Sequence, residues 1–113
     1  MKQKKDVLQG ALDLLILKSL SAEPLHGYAI ASHIEQASDD LLRVEEGSLY
    51  PALHRLEQDG LLRASWKPSE TGRKAKFYRL TGAGSQRLEI EERRWQKVRR
   101  GIGKVLRYAP EVE

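Results

Sequence analysis

Apolar residues recur with the helical period along a first segment that runs from about Val7 to Leu20. The Pro24 that follows disfavours helical geometry in the residue before it, so the predicted helix ends ahead of Glu23. One apolar face is formed by Leu8, Ala11, Leu12 and Leu15, and a second apolar edge by Leu14 and Leu17. A helix that is apolar on several sides must be covered on several sides, which in a short chain indicates a partner subunit.

A second helix is predicted from about Tyr28 to Ala37, directly after Gly27 permits a tight turn. Ile30, Ala31 and Ile34 are spaced to face inward from this helix. Because these neighbours face inward, the ring of Tyr28 is predicted to fill the core, although its hydroxyl could instead contact a phosphate.

The third helix has the clearest pattern, with Leu49, Ala52, Leu53 and Leu56 at positions i, i+3, i+4 and i+7. Pro51 lies within this pattern, and proline is tolerated in the first turn of a helix, where backbone N–H groups lack partners anyway. The helix is therefore predicted to begin near Gly47 or Ser48. Gly60 is predicted to end it in the left-handed conformation.

The pattern then changes from the helical period to a period of two. Leu62, Ala64 and Trp66 alternate with polar residues and predict a strand. Residues Pro68 to Gly72 have turn chemistry, and Ala75 to Leu80 read as the returning strand. The sequence therefore predicts a β-hairpin with a polar tip.

Thr81 is a suitable N-cap for a long last helix that reaches about Leu106. Its apolar residues form a narrow seam with heptad spacing, surrounded by charged residues, so the helix needs a partner. The residues predicted to form a homodimer lie on the first and last helices: Leu8, Leu12, Leu15, Leu88, Trp95, Val98, Ile102 and Val105.

The order of the elements predicts a mainly α fold with a small β-hairpin. Residues 1–81 would form a winged helix-turn-helix DNA-binding domain, and residues 82–113 a C-terminal dimerisation helix and tail. The third helix of such a domain enters the DNA major groove. Its outward side chains, and so the candidate DNA contacts, are Ser48, Tyr50, Pro51, His54, Arg55 and Gln58. Arg55 could form a bidentate pair with guanine; the plainer alternative is an ordinary solvated helix face.

Three cations, Arg73, Lys74 and Lys76, lie at the hairpin tip and on its second strand. On a wing beside a DNA-reading helix, such cations suit contacts with phosphates. The alternative is a solvated run of charges, which is what most charge runs are.

Composition is consistent with this fold and excludes several classes of site. The chain has 113 residues, 20 Lys and Arg against 16 Asp and Glu, and a net charge of +4, a modest excess that fits a polyanionic partner. It has no cysteine, which excludes disulfides and cysteine-bound metals. His26, His33 and His54 are not spaced for one metal site. No catalytic pair is found, so we expect no enzyme activity, no metal and no cofactor.

The apolar run near the N-terminus is interrupted by Asp13 and Lys18 and is too short to span a bilayer. No small-residue cleavage site follows it, as a secretory signal would require. We therefore expect a cytoplasmic protein without membrane contact.

Six pieces of the chain form a recognisable set that spans nearly its whole length: Gly10 to Leu17, Leu25 to Tyr28, Glu46 to Leu53, Leu56 to Leu61, Arg73 to Thr81, and Gly84. In these segments the chain closely resembles the PadR family of bacterial transcription regulators. The resemblance implies a homodimer, a palindromic operator and, usually, repression, with a short C-terminus that supplies one dimerisation helix. By position, it also implies that Ser48, Tyr50 and Pro51 face DNA and that Arg73, Lys74 and Lys76 belong to the wing.

Two functional alternatives follow from these patterns. The first is a sequence-specific regulator of double-stranded DNA, expected to repress as a homodimer; the second is a winged-helix protein-interaction module without sequence-specific DNA binding. Trp95 on the last helix also has two interpretations. It could anchor the dimer, or it could form a platform for a small aromatic or lipophilic effector that releases the DNA.

Overall fold

The computed structural model describes the backbone of residues 6–110 and the side chains of residues 10–110. Within residues 6–110, four helices and three strands follow one another in the order α1 (Asp6–Ser19), β1 (Leu25–His26), α2 (Gly27–Ala37), α3 (Glu46–Gln58), β2 (Leu62–Pro68), β3 (Lys74–Leu80) and α4 (Gly82–Arg107). The predicted order of helices and hairpin is confirmed, and β1 is an addition to it. The side chain of Leu8, predicted to contact a partner subunit, lies outside the described residues.

The core lies where α1, α2 and α3 meet the start of the hairpin. The four residues predicted to face inward from α3 are all buried, as are Ile30 and Ile34 of α2. On α1 the most deeply buried residues are Ile16, Leu17 and Leu20, whereas Leu12 and Leu15 are half-buried and pack against the edge of the core. Because α1 is apolar on several sides, its sequence pattern did not show which face would be buried most deeply. That depends on where α2 and α3 pack against it.

Helix α3 begins earlier than predicted. It starts at Glu46, so Pro51 is its sixth residue and lies in the second turn rather than the first. Pro51 cannot donate to the Gly47 carbonyl, but Gly47 is exposed, so the missing hydrogen bond is not in the core. The predicted end of the helix is confirmed: Gly60 has φ +78°, and the N–H groups of Gly60 and Leu61 donate to the carbonyls of Glu57 and Leu56. This pair of bonds is a Schellman motif.

The hairpin belongs to a three-stranded antiparallel sheet in the order β1-β3-β2. Leu62 pairs with Leu80 at the base of the hairpin, and Pro68 pairs with Lys74 near its tip. Leu25 and His26 of β1 pair with Tyr78 and Phe77 on the other edge of β3. The sheet therefore ties the wing to the segment that leads into α2.

Helix α4 starts inside the core and then leaves it. Thr81 caps the helix by accepting a hydrogen bond from the Gly84 N–H at 3.0 Å, which confirms the predicted cap. Gly84 and Leu88 are the buried residues of α4. The helix has 26 residues, equivalent to about 39 Å.

None of the helices in residues 6–110 combines the length and apolar character needed to cross a membrane.

Candidate nucleic-acid interface

The outward face of α3 carries five of its six predicted DNA contacts in exposed positions. These are Ser48, Tyr50, Pro51, His54 and Gln58. They are exposed because Leu49, Ala52, Leu53 and Leu56 turn the opposite face into the core. The helix therefore presents a continuous polar and aromatic surface that no other described element covers.

Arg55, the sixth predicted contact, is half-buried and faces α1. Its two terminal nitrogens donate to the two carboxylate oxygens of Asp13, each at 2.9 Å. These hydrogen bonds, together with the attraction of the Asp13 charge, raise the pKa of the Arg55 guanidinium above its ordinary value despite partial burial. Contact between Arg55 and a DNA base stays a prediction. In this structure both terminal nitrogens of Arg55 are hydrogen-bonded to the Asp13 carboxylate.

The wing ends in a tight turn that presents its cations. The Ser69 N–H donates to the Arg73 carbonyl at 2.8 Å, and the Gly72 N–H donates back to the Ser69 carbonyl at 2.9 Å. Gly72 has φ +89°, a conformation that favours glycine. Arg73 and Lys74 follow directly and are exposed, so both can reach a phosphate.

Lys76 differs from the other two wing cations, because it pairs with α3. Its ammonium lies 3.2 Å from a carboxylate oxygen of Glu57 and 5.5 Å from the centre of the Tyr78 ring. Burial raises the pKa of the Tyr78 phenol, which stays neutral beneath this cation. Lys76 thus holds the wing against α3 in this structure.

A groove of about 480 Å³ separates the start of α3 from the wing. It brings Tyr50 together with all three predicted wing cations, Arg73, Lys74 and Lys76. Ser48, Pro51, His54 and Gln58 lie outside it on the exposed face of α3. The helix surface and the cationic wing therefore form one continuous surface.

Two exposed aromatic residues line this groove, and neither was among the DNA contacts preferred from the sequence, where phosphate contact was only the alternative for Tyr28. Tyr28 is 74% exposed, so its predicted place in the core was wrong, and Trp66 is 64% exposed. Tyr28 is the second residue of α2 and projects beside the groove instead of following Ile30 inward. Trp66 continues the alternation of Leu62 and Ala64, but β2 has by then run past the edge of the core. Neither position had a signal in the sequence, because both depend on where the core ends.

Tyr50 is seated on the backbone of Gly27. A Cβ atom at Gly27 would lie 2.7 Å from the Cε1 and hydroxyl oxygen of Tyr50 and 2.9 Å from its Cζ. These separations are too short for real contacts, so the ring position requires glycine there. Beside it, the Nδ1 atom of His26 accepts from the Ala29 N–H at 3.2 Å and caps α2. The segment from His26 to Gly27 thus supports both α2 and the first turns of α3.

A family model described as the Transcriptional regulator PadR-like family matches residues 16–90. The chain belongs to the PadR-like family of transcriptional regulators.

Relatives and solved structures of PadR-like and other transcriptional regulators match this chain over most of its length. The transcriptional regulator Rv3488 of Mycobacterium tuberculosis is 32% identical over 98 residues, which cover 87% of this chain and 88% of that protein. A transcriptional regulator from Clostridium thermocellum is 30% identical, with a TM-score of 0.79 and coverage of 88% and 97% of the two chains. A PadR-like regulator from Bacillus cereus is 30% identical, with a TM-score of 0.76 and coverage of 93% and 100%. The chain is accordingly a winged-helix transcriptional regulator and not an enzyme, as predicted.

In this PadR-like regulator much of the apolar seam of α4 is left exposed by the described residues. Val98 and Ile102 are exposed, and Val105 is 73% exposed. Leu88, assigned to the same seam from the sequence, is 8% exposed and packs in the core of its own chain, so it offers little surface to a partner. The predicted seam therefore begins at Trp95 in this structure.

Trp95 borders a second, mostly apolar groove of about 250 Å³ between α1 and α4. The groove is lined by Gly10, Ala11, Leu14, Glu91, Arg94, Trp95 and Val98. It is open along one side because no other described element of the chain packs there.

The three histidines do not come together in this regulator. His26 caps α2, while His33 and His54 are exposed on different helices. Within the described part of the chain, no group of three or more His, Asp or Glu residues could hold a metal ion.

Proposed function

We propose that this regulator binds a palindromic operator in double-stranded DNA as a homodimer and represses transcription by occupying it. The observation that carries the proposal is the groove that joins Tyr50 of α3 to Arg73 and Lys74 of the wing. A reading helix and a cationic hairpin on one surface suit simultaneous contact with base edges and flanking phosphates.

Within each half-site, the exposed side chains of α3 enter the major groove. Tyr50 in the second turn of α3 and His54 about one turn further on supply hydrogen-bonding groups, and Gln58 can pair with adenine. Arg73 and Lys74 bind the flanking phosphates, which position the helix but carry no sequence information. Tyr28 and Trp66 lie between these two sets, where their rings can pack on the sugar-phosphate backbone.

The dimer is proposed because the described residues of one chain leave most of the apolar seam of α4 exposed. Trp95, Val98, Ile102 and Val105 supply the surface. Leu12 and Leu15 of α1, half-buried at the edge of the core, stay predicted partner contacts. Twofold symmetry then presents two reading helices about one DNA turn apart, roughly 34 Å.

Two further expectations remain predictions. One is the division of the chain at residue 81 into a DNA-binding domain and a dimerisation helix, and the other is a cytoplasmic location.

A small aromatic or lipophilic effector could act through the groove beside Trp95. Its apolar lining between α1 and α4 suits a flat ligand, and a ligand there would change the angle between subunits and mismatch the half-site spacing. The hypothesis predicts that Trp95→Ala abolishes any ligand-induced release of DNA. It fails if operator affinity is indifferent to every candidate ligand and to this substitution.

The decisive experiment selects bound fragments from genomic DNA with the purified protein and then measures their affinity against salt. Selection should return a palindrome, which gives the operator and its symmetry together. Arg73 and Lys74 from two wings imply at least four phosphate contacts, and log Kd should then change with log salt with a slope of about 3.6 or more. Failure to bind any duplex at low salt would instead favour the protein-interaction module.

A further inference from the structure

Ion pairs hold the reading helix α3 from two sides. Arg55 joins it to α1 through Asp13, and Glu57 joins it to the wing through Lys76. Arg55 and Glu57 are two residues apart on α3, so their side chains leave the same helical turn in different directions. Arg55 points to α1 and Glu57 points to the wing. The first of these pairs has a geometry that assigns it a specific task.

The Asp13–Arg55 pair is a two-point attachment. Each terminal guanidinium nitrogen donates to a different carboxylate oxygen at 2.9 Å, and the Asp13 side chain is only 18% exposed. Because the guanidinium is planar and the carboxylate is planar, two parallel bonds fix the relative orientation of the groups as well as their distance. The Lys18–Glu92 pair between α1 and α4 differs in every respect: it has a single contact of 3.4 Å and both partners are well exposed.

The same geometry argues against a direct role of Arg55 in base reading. If Arg55 turned to guanine, the largely shielded Asp13 carboxylate would lose its partner, at a substantial desolvation cost. The pair already uses the bidentate fork that guanine recognition requires.

Helix α1 is also the element that meets α4. Ala11 and Leu14 of α1 line the groove with Trp95 and Val98 of α4, so the proposed dimer helix, α1 and the reading helix form a continuous packed series.

We propose that Asp13 and Arg55 are a positioning pair that sets the orientation of α3 against α1, and so sets the sequence selectivity of a DNA-binding surface they do not touch. The inference rests on the proposed function, since it concerns how that surface is aimed. Arg55 acts through the helix and not through a base contact.

The test is a double-mutant cycle of Asp13→Asn, Arg55→Met and the double variant, measured on the selected operator and on a scrambled duplex of equal length. Positioning predicts that each single variant loses about tenfold in the ratio of operator to scrambled affinity, and that the double variant loses no more than either. Affinity for the scrambled duplex and the slope against salt should stay near the native values, because the wing cations are untouched. Arg55→Lys, which keeps the charge but not the fork, should show an intermediate loss.

The Asp13→Asn variant separates this inference from base reading. If Arg55 reads a base, freeing it from Asp13 leaves operator affinity unchanged or raises it, and that result overturns the proposal. Equal losses on both duplexes, or a lower melting temperature with an unchanged affinity ratio, would show a merely structural pair and overturn it as well. Lys18→Gln, which removes the exposed pair with Glu92, is the matched control and should leave the ratio unchanged.

Failure of the proposed function is recognised separately, in the native protein. If the native chain shows no preference for any duplex, the proposed function fails and this inference falls with it. If the native chain is selective and Asp13→Asn is equally selective, the inference alone fails.

Discussion

Replacing Gly84 by alanine is expected to destabilise the protein, because a backbone carbonyl occupies the space that the new methyl group needs. A Cβ atom at Gly84 would lie well inside contact distance of the Leu61 carbonyl oxygen, 3.1 Å from its carbon and 3.3 Å from a methyl of Leu80. The Leu61 carbonyl cannot move aside freely. The Leu61 carbonyl accepts a hydrogen bond from the Thr81 N–H at 3.1 Å. The N–H of the same residue donates to the Leu56 carbonyl and completes the Schellman motif of α3.

The size of the effect follows from two opposing contributions. Forcing a methyl group into packed structure costs about 1–3 kcal/mol, and a rigid backbone neighbour favours the upper end. Alanine in place of glycine within a helix raises the free energy of unfolding by up to about 1 kcal/mol, because alanine has the higher helix propensity. The net loss is therefore about 2 kcal/mol, which at about 2.1 cal/mol/K of unfolding entropy per residue lowers Tm by about 8 °C.

Thermal unfolding followed by circular dichroism at fixed protein concentration measures this shift. Gly82→Ala, two residues earlier in the same turn of α4, is the matched control, since a Cβ there meets nothing within 4 Å. It should leave Tm unchanged or raise it slightly. A Gly84→Ala protein that melts at or above the native temperature would refute the reasoning that α4 is held by this close approach.

Three further predictions concern the DNA-facing surface and its support. Gly27→Ala should displace the Tyr50 ring and lower operator affinity by about tenfold, with little change in Tm. The Gly27→Ala/Tyr50→Ala double variant should bind operator like Tyr50→Ala alone. Additive losses of affinity in the double variant would argue against the contact between the two residues. Lys74→Ala should weaken binding to all duplexes nearly equally and reduce the slope against salt by about one for each wing, whereas a loss confined to the operator would indicate a base contact. His26→Ala removes the acceptor that caps α2 and should cost about 1 kcal/mol in urea unfolding; His26→Asn, which can still accept from the Ala29 N–H, should recover most of it.

The interface combines rigid support with exposed, adaptable side chains. Tyr50 rests on Gly27, and the wing is tied to α3 through Lys76 and Glu57. The groups that would meet DNA, such as Arg73 and Lys74, stay exposed on these supports. A surface held in this way limits the ordering cost of binding, because its backbone is already in place.

Much of the fold could be predicted because its elements are encoded by local patterns. The spacing of Leu49, Ala52, Leu53 and Leu56 specified both the existence of α3 and its buried face, and therefore also the side chains left outside. Gly60 and Thr81 marked helix ends through backbone chemistry that acts within a few residues. Such signals need no knowledge of distant parts of the chain.

The remainder depended on contacts between residues far apart in sequence. Strand β1 has two residues, too few to show a period, and exists because β3 offers a free edge. The exposure of Tyr28 depends on where the core ends. Arg55 was assigned to the DNA surface because its position on the helix is outward, yet Asp13, 42 residues away, draws its side chain to α1.

The sequence alone thus determined where α3 lies and which of its faces is buried, since an amphipathic period is a property of neighbouring residues. Only the tertiary structure decided which outward side chains stay exposed and which, like Arg55, pair with another element. That choice depends on the charges and backbone atoms that distant segments bring within a few ångströms, and no local pattern records them.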